Sequence, residues 1–292
     1  MTVKQLFEHP TIEELAEVVE VDETVMTNAE QGIVTGPVEL TPIQRWFFGQ
    51  GMKNPHYFNQ SVVIDVPAEL GAEDWQHIIM HLIEHHDALR TGFKFQSGEW
   101  KAEIADMPEI VPLEVIDMAE VEEGERKEFL WENGQRLHEG MRLEQPPLLR
   151  AALFTAWDKD TNRLMIAIHH LVVDVVSWRI ILEDLERMTE DKKSGQPLGL
   201  PEKTTSWKEW SYRLRDEAQS DETESEKDFW HTQTYQAVKE LPLDRKTYEN
   251  TVSCSEVYDA VLDASATEAM HKEIPAVFGT QINDVLLTAV GA

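Results

Sequence analysis

A mixed α/β fold follows from three features of the sequence. Runs rich in β-branched residues, such as "QSVVIDV" and "RLMIAIHH", alternate along the chain with segments whose apolar residues recur at helical spacing, such as "EDWQHIIMHLIEHHDALR". Turn-forming pieces, among them "DKDTN" and Ser97-Gly98, fall between these segments. Finally, 41% of the 292 residues are hydrophobic and nine are Trp. That supports a sizeable core and, at this length, about two domain-sized units.

The elements follow in chain order. Residues 1–20 predict a short acidic helix. Pro10 and Thr11 start it, Glu13 and Glu14 suit the positive end of the dipole, and Ile12, Leu15, Ala16 and Val19 form a stripe. Residues 21–37 are polar and aperiodic, as expected of a linker. Thr41-Pro42 opens a helix, and Gln60–Val66 predicts a strand. The strongest helix carries Trp75, Ile78, Ile79, Leu82, Ile83 and His86 on one face. His77, His81 and His85 lie off that face. The His81–His85 spacing could suit a metal, but no third ligand of the HExxH kind accompanies it, so a solvated face is the expectation.

"RTGFKF" and "EWKAEI" predict a hairpin around Ser97-Gly98, and residues 119–140 predict a charged helix. "PLLRAALFTAW" and "RLMIAIHH" predict two buried strands joined by "DKDTN". A helix then carries Trp178, Ile181, Leu182, Leu185 and Met188. A loop follows, then helices around "WKEWSYRLRDEA" and "EKDFWHTQTYQAV", and a strand in "VYDAVLDA". The last segment, "INDVLLTAVGA", reads as a helix still in progress, which predicts an incomplete second domain.

The charge balance narrows function. Against 26 basic residues stand 55 acidic ones, a formal charge of −29. A nucleic-acid or anionic-membrane surface needs clustered Lys and Arg, so neither partner is expected. No basic segment leads into an apolar one at the N-terminus, and no run of about 18 apolar residues could span a bilayer. The single cysteine, Cys254, excludes an internal disulfide and fits a reducing, cytoplasmic setting. Its context predicts the start of a strand and a buried or edge thiol.

One stretch stands apart. "IAIHHLVVDVVSW", residues 166–178, places two histidines and an aspartate in an otherwise apolar run. Strand alternation puts His170 on the face of Leu164, Ile166 and Ile168, and His169 on the face of Met165 and Ala167. Only one ring can then look into a given cavity. The loop that follows lies at a strand-to-helix junction, a common place for catalytic groups. A neutral imidazole can accept a proton at physiological pH. Asp174 has two readings: an N-terminal cap for the helix beginning near Ser177, or an ion pair with a buried arginine, for which Arg90 is the choice. From the residues alone, packed core histidines and a catalytic histidine both remain open.

"HHLVVDVVSWRIILEDL" resembles the HHxxxDG active-site motif of the condensation-domain superfamily of nonribosomal peptide synthetases, and its tail is similar to the epimerization branch. "GPVELTPIQRWFF", "HYFNQSVVI", "EHHDALRTGF", Phe229-Trp230 and "INDVLLTAV" are similar to further blocks of that family in kind and order. Residues 2–20 resemble the last helix of a peptidyl carrier domain. The resemblance implies a chloramphenicol acetyltransferase-like sandwich lobe over residues 38–205, with inter-lobe helices and the start of a truncated second lobe over 206–292. It also implies L-to-D epimerization of an aminoacyl or peptidyl thioester. The substrate would ride on the phosphopantetheine of a carrier domain, with no directly bound cofactor. Expected partners are upstream carrier and adenylation domains, a downstream condensation domain and the missing C-terminal lobe.

By the same resemblance the catalytic pair is His170 and His169, with His170 moving the proton and His169 mainly structural. Asp174 and Arg90 support the site, and Val175, Ser177 and Trp178 are substrate-channel candidates. A glutamate from beyond residue 292 would complete the chemistry, so this chain alone is expected to be inactive or nearly so. The family pattern has Gly where this chain has Val175. Gly serves positive φ or close approach, so Val175 predicts a reshaped loop or a narrowed channel and lowered activity. Gly92 replaces a second basic residue, which leaves Arg90 as the expected partner of Asp174. Peptide-bond formation and non-catalytic carrier docking are the alternatives.

Overall fold

The computed structural model describes residues 29–234 and 251–291, so the predicted helix over residues 1–20 and residues 21–28 of the linker lie outside the described residues. Two compact units divide between Thr232 and Gln233.

The first unit contains two sheets. A three-stranded antiparallel sheet has the order β1 (Gly36–Val38), β4 (Glu99–Ile104), β3 (Thr91–Gln96). The predicted hairpin joins β3 to β4 through Ser97 at φ 54° and Gly98 at φ 87°. Two positive φ values in a two-residue loop match the twist of the flanking strands. A four-stranded sheet has the order β2 (Asn59–Pro67), β7 (Thr161–His169), β6 (Leu149–Thr155), β5 (Leu113–Asp117). All its pairs are antiparallel except β5 with β6. Strand β7 is therefore interior, as its apolar run predicts.

Helices cover both faces of this second sheet. Helix α1 (Pro42–Gly49) precedes it. Thr41 is the N-cap of α1, and its N–H donates to the Gln44 carboxamide. Helices α2 (Ala72–His85) and α4 (Val175–Lys193) pack on one face. Trp75, Ile78, Ile79, Leu82 and Ile83 of α2 meet Trp178, Ile181, Leu185 and Met188 of α4 over Leu164, Ile166 and Ile168. Full burial of each such side chain contributes about 1.5–3 kcal/mol. Helix α3 (Arg126–Glu139), shorter than the predicted 119–140, covers the other face with Leu137 against Phe154 and Met165. Gly134 permits this approach, because a Cβ there would come within 2.8 Å of the Met165 methyl. Gly92 has a similar reason: a Cβ would meet the Pro146 ring at 3.0 Å.

Helix α5 (Trp207–Glu217) is tied to the residue after β1 through the Ser211 hydroxyl, which accepts from Glu39 N–H. It belongs to the first unit. Helix α6 (Asp221–Thr234) follows.

In the second unit, α7 (Ala264–Glu268), α8 (Ile274–Phe278) and α9 (Ile282–Gly291) are described. The strand expected in "VYDAVLDA" does not form. A strand requires a hydrogen-bonding neighbour, and the described residues of this unit supply none. Cys254 lies in the turn Val252–Cys254 and is exposed, correcting the buried or edge thiol.

Candidate active site

Strand β7 ends at His169, and the register Asn59↔His169 sets both histidines against β2. The two rings then enter different environments. His169 is fully buried. Its Nδ1 accepts from Leu171 N–H at 3.1 Å, and its Nε2 lies 2.8 Å from the Pro55 carbonyl, to which it must donate. Phe47 packs edge-on at 5.9 Å. Burial, above all, lowers its pKa to about 4, so the ring stays neutral. Both ring nitrogens are thus taken up by backbone groups.

His170 follows the strand end and is half-buried. Its backbone N–H donates to Phe58 O at 2.8 Å, and its ring stacks on Phe58 at 5.3 Å and 18°. Nδ1 lies 2.8 Å from the Val173 carbonyl. A carbonyl only accepts, so Nδ1 carries the proton and Nε2 offers a lone pair. Gln60 Nε2 stands 3.2 Å from that nitrogen, and the Trp178 indole N–H donates to Gln60 Oε1 at 2.9 Å.

Asp174 takes the first of its two readings. It is the exposed N-cap of α4: one carboxylate oxygen accepts from Ser177 N–H and from Ser177 Oγ, each at 2.7 Å. These bonds hold its pKa below the usual carboxylate range. The expected ion pair with Arg90 does not form. Arg90 is fully buried and donates instead to the carbonyls of Ile83, Val34 and Ala105 at 3.2, 3.1 and 2.6 Å. Its guanidinium ties the end of α2 to the segment before β1 and to the end of β4. Burial pushes its pKa down, and the charges of Asp87, Asp106 and Glu84 oppose that.

Val175 is the first residue of α4, with its side chain 78% exposed. Among the described residues only Ser97 and Ala156 are non-glycine positions with positive φ. The backbone at Val175 is therefore helical, a conformation open to any L residue. Trp178 is buried in the core. Ser177 lines a cavity of about 430 Å³ together with Val172, His86, Asp184 and Trp210.

That cavity holds a second histidine doublet. His86, which the helical stripe placed on the core face, bonds Asp184 of α4 at 2.7 Å. His85, His86 and Asp184 bring donor atoms within 4.8 Å of one another. Burial, and then the neighbouring His86, hold the pKa of His85 down. The His86–Asp184 bond accounts for this cluster as a pin between α2 and α4.

Sequence reading missed Gln60, Phe58 and the Val173 carbonyl. Gln60 carried a signal. It shares the strand face of Val62, Ile64 and Val66, which pack into the core, and is the polar residue at the end of that apolar face.

The Condensation domain family model matches residues 34–292. The chain belongs to the condensation-domain family. It is 38% identical over 297 residues to surfactin synthase subunit 1 of Bacillus subtilis, covering 100% of this chain and 8% of that protein. Gramicidin S synthase 1 of Brevibacillus brevis is 34% identical over 292 residues, with 100% and 26% covered. The crystal structure of the epimerization domain from the third module of tyrocidine synthetase B superposes with a TM-score of 0.77 at 32% identity, over 91% of this chain and 59% of that one. The first condensation domain of the calcium-dependent antibiotic synthetase superposes at 0.55 with 17% identity, a likeness of fold. The condensation-domain chain thus has the chloramphenicol acetyltransferase-like α/β fold expected of it. It spans a small part of the peptide synthetases it matches.

Proposed function

We propose that this condensation-domain chain takes part in L-to-D epimerization of an aminoacyl or peptidyl thioester carried on the phosphopantetheine of a carrier domain. The observation that carries this reading is the His170 ring, locked with Nδ1 protonated and Nε2 presenting a lone pair. A thioester acidifies its α-hydrogen. Nε2 takes that proton as the C–H bond breaks, and the electron pair passes to the thioester oxygen as an enolate. A donor on the opposite face returns a proton to the α-carbon. General base catalysis of this kind contributes about 10²–10⁴-fold.

Likeness to an epimerization domain at 32% identity favours this chemistry over peptide-bond formation. The family model, named for condensation, favours the second reading, in which the same base serves an attacking amine. Carrier, adenylation and downstream condensation domains, a second lobe with an opposing donor, and a cytoplasmic setting belong to the proposal. Among the described residues no helix is long and apolar enough to cross a membrane.

The test loads a carrier domain with an L-aminoacyl phosphopantetheine thioester in deuterated water, with no acceptor. The chain is assayed alone and joined to a second lobe. Deuterium at the α-carbon and D product support epimerization. Peptide formed on adding an acceptor amine, without exchange in either form, overturns it.

A further inference from the structure

We infer that Gln60 is a positioning residue for His170, and that Trp178 sets which way Gln60 faces. Each link in this relay has one direction. An indole N–H can only donate, so the Gln60 carboxamide must turn its oxygen toward Trp178, 2.9 Å away. The amide nitrogen then faces His170 Nε2 at 3.2 Å and can only donate to it. At the other side of the ring, the Val173 carbonyl can only accept from Nδ1. Both sides therefore select one neutral tautomer, with the basic nitrogen at Nε2. Phe58 stacked beneath the ring fixes its plane.

The relay is anchored in rigid elements. Trp178 lies in the first turn of α4 and is only 8% exposed. Gln60 pairs with Ile168 in the β2–β7 register, two residues before His170 on the same face. Turning the amide over would set its N–H₂ against the indole N–H and its oxygen against a lone pair, which opposes two like groups at once. With the thioester absent, the amide occupies the lone pair. A substrate α-hydrogen takes that place, and once Nε2 has gained the proton its new N–H faces the amide N–H, donor against donor. The pairing favours the ring that has handed its proton on.

This role in proton transfer rests on the epimerization reading, whereas the tautomer does not. The test is therefore spectroscopic first. Histidines of the whole chain are labelled with ¹⁵N, and the His170 signals are assigned by their loss in His170→Ala. The expected result at neutral pH is a protonated Nδ1 and an unprotonated Nε2. Gln60→Glu keeps the shape but exchanges the donor for an acceptor, which favours a proton on Nε2 as well as on Nδ1 and so fills the basic lone pair. Gln60→Met removes donor and acceptor alike and loosens Nε2 without moving the proton from Nδ1, since the Val173 carbonyl remains. In the α-hydrogen exchange assay, Gln60→Glu lowers the rate at least about tenfold, a part of the general-base contribution. A wild-type ring protonated at Nε2, or identical His170 signals in wild type and Gln60→Glu, overturns the inference. Correct tautomers without any exchange in the two-lobed form overturn the epimerization reading and leave the relay standing.

Discussion

Two histidine doublets in this chain, His85-His86 and His169-His170, look alike in sequence and behave differently in the fold. Each has an aspartate close after it, Asp87 in one case and Asp174 in the other. In the first doublet a carboxylate from another helix, Asp184, reaches His86 at 2.7 Å and makes it a pin between α2 and α4. In the second, no carboxylate among the described residues bonds either ring, and the Asp174 oxygen that bonds is taken up by Ser177. His169 is satisfied by backbone groups and buried, while His170 keeps a basic nitrogen facing an amide. A doublet is thus a pair of opportunities, and the third partner decides between a structural bond and a base.

The largest way to sharpen this contrast acts on rate. His170→Ala removes the proposed base and is expected to lower α-hydrogen exchange on the carrier-bound thioester by about 10²–10⁴-fold. Replacing His86 leaves the exchange chemistry without a direct loss. Deuterium incorporation in the two-lobed form, compared between the two variants, checks it. An equal loss in both would erase the distinction between the doublets.

The next effect is on stability against pH. His169 has a native pKa lowered to about 4 by burial. The unfolded ring, near 6.5, binds its proton first as pH falls. The stability from the neutral buried ring is therefore fully present above about pH 6.5 and is lost on descending toward pH 4, by about 2 kcal/mol at pH 5. His85 and His138, also lowered mainly by burial, act in the same direction. Urea midpoints at pH 7 and 5 should draw together in His169→Gln, although that variant is less stable at pH 7. An unchanged pH slope in the variant would show that His169 is not the group responsible.

Breaking the first doublet's pin comes next. Asp184→Ala leaves a half-buried imidazole without its carboxylate and costs about 1–3 kcal/mol in urea unfolding. Asp174→Ala removes a helix cap and costs about 1 kcal/mol. Because Arg90 bonds three carbonyls instead of Asp174, combining Asp174→Ala with Arg90→Lys should be additive within about 0.5 kcal/mol. A larger coupling energy would restore the ion pair.

Val175→Gly is expected to do least. The position is the first of a helix and its side chain is exposed, so the change costs less than about 1 kcal/mol. The left-handed conformation that would penalise Val is not present there. A several-fold gain in exchange would show instead that the Val175 side chain obstructs the approach to His170.

Much of this was legible in the chain itself. The alternation of "RLMIAIHH" and the 3.6-residue stripe of "DWQHIIMHLI" predicted β7 and α2, because each pattern has one way to bury its apolar side chains. Alternation also separated the two histidine rings, and the Asp174 position matched a helix cap, since capping is local to four residues. Tertiary structure decided what depends on partners distant in sequence. The carbonyls that claim Arg90 come from three separate segments, and the oxygen that claims His86 lies on another helix. Gln60 reaches His170 only because the β2–β7 register places them together. A strand in "VYDAVLDA" was legible as propensity but needs a neighbour to form. Local patterns select conformations. Donor and acceptor pairing across the fold selects which ring nitrogen carries the proton and which keeps a lone pair.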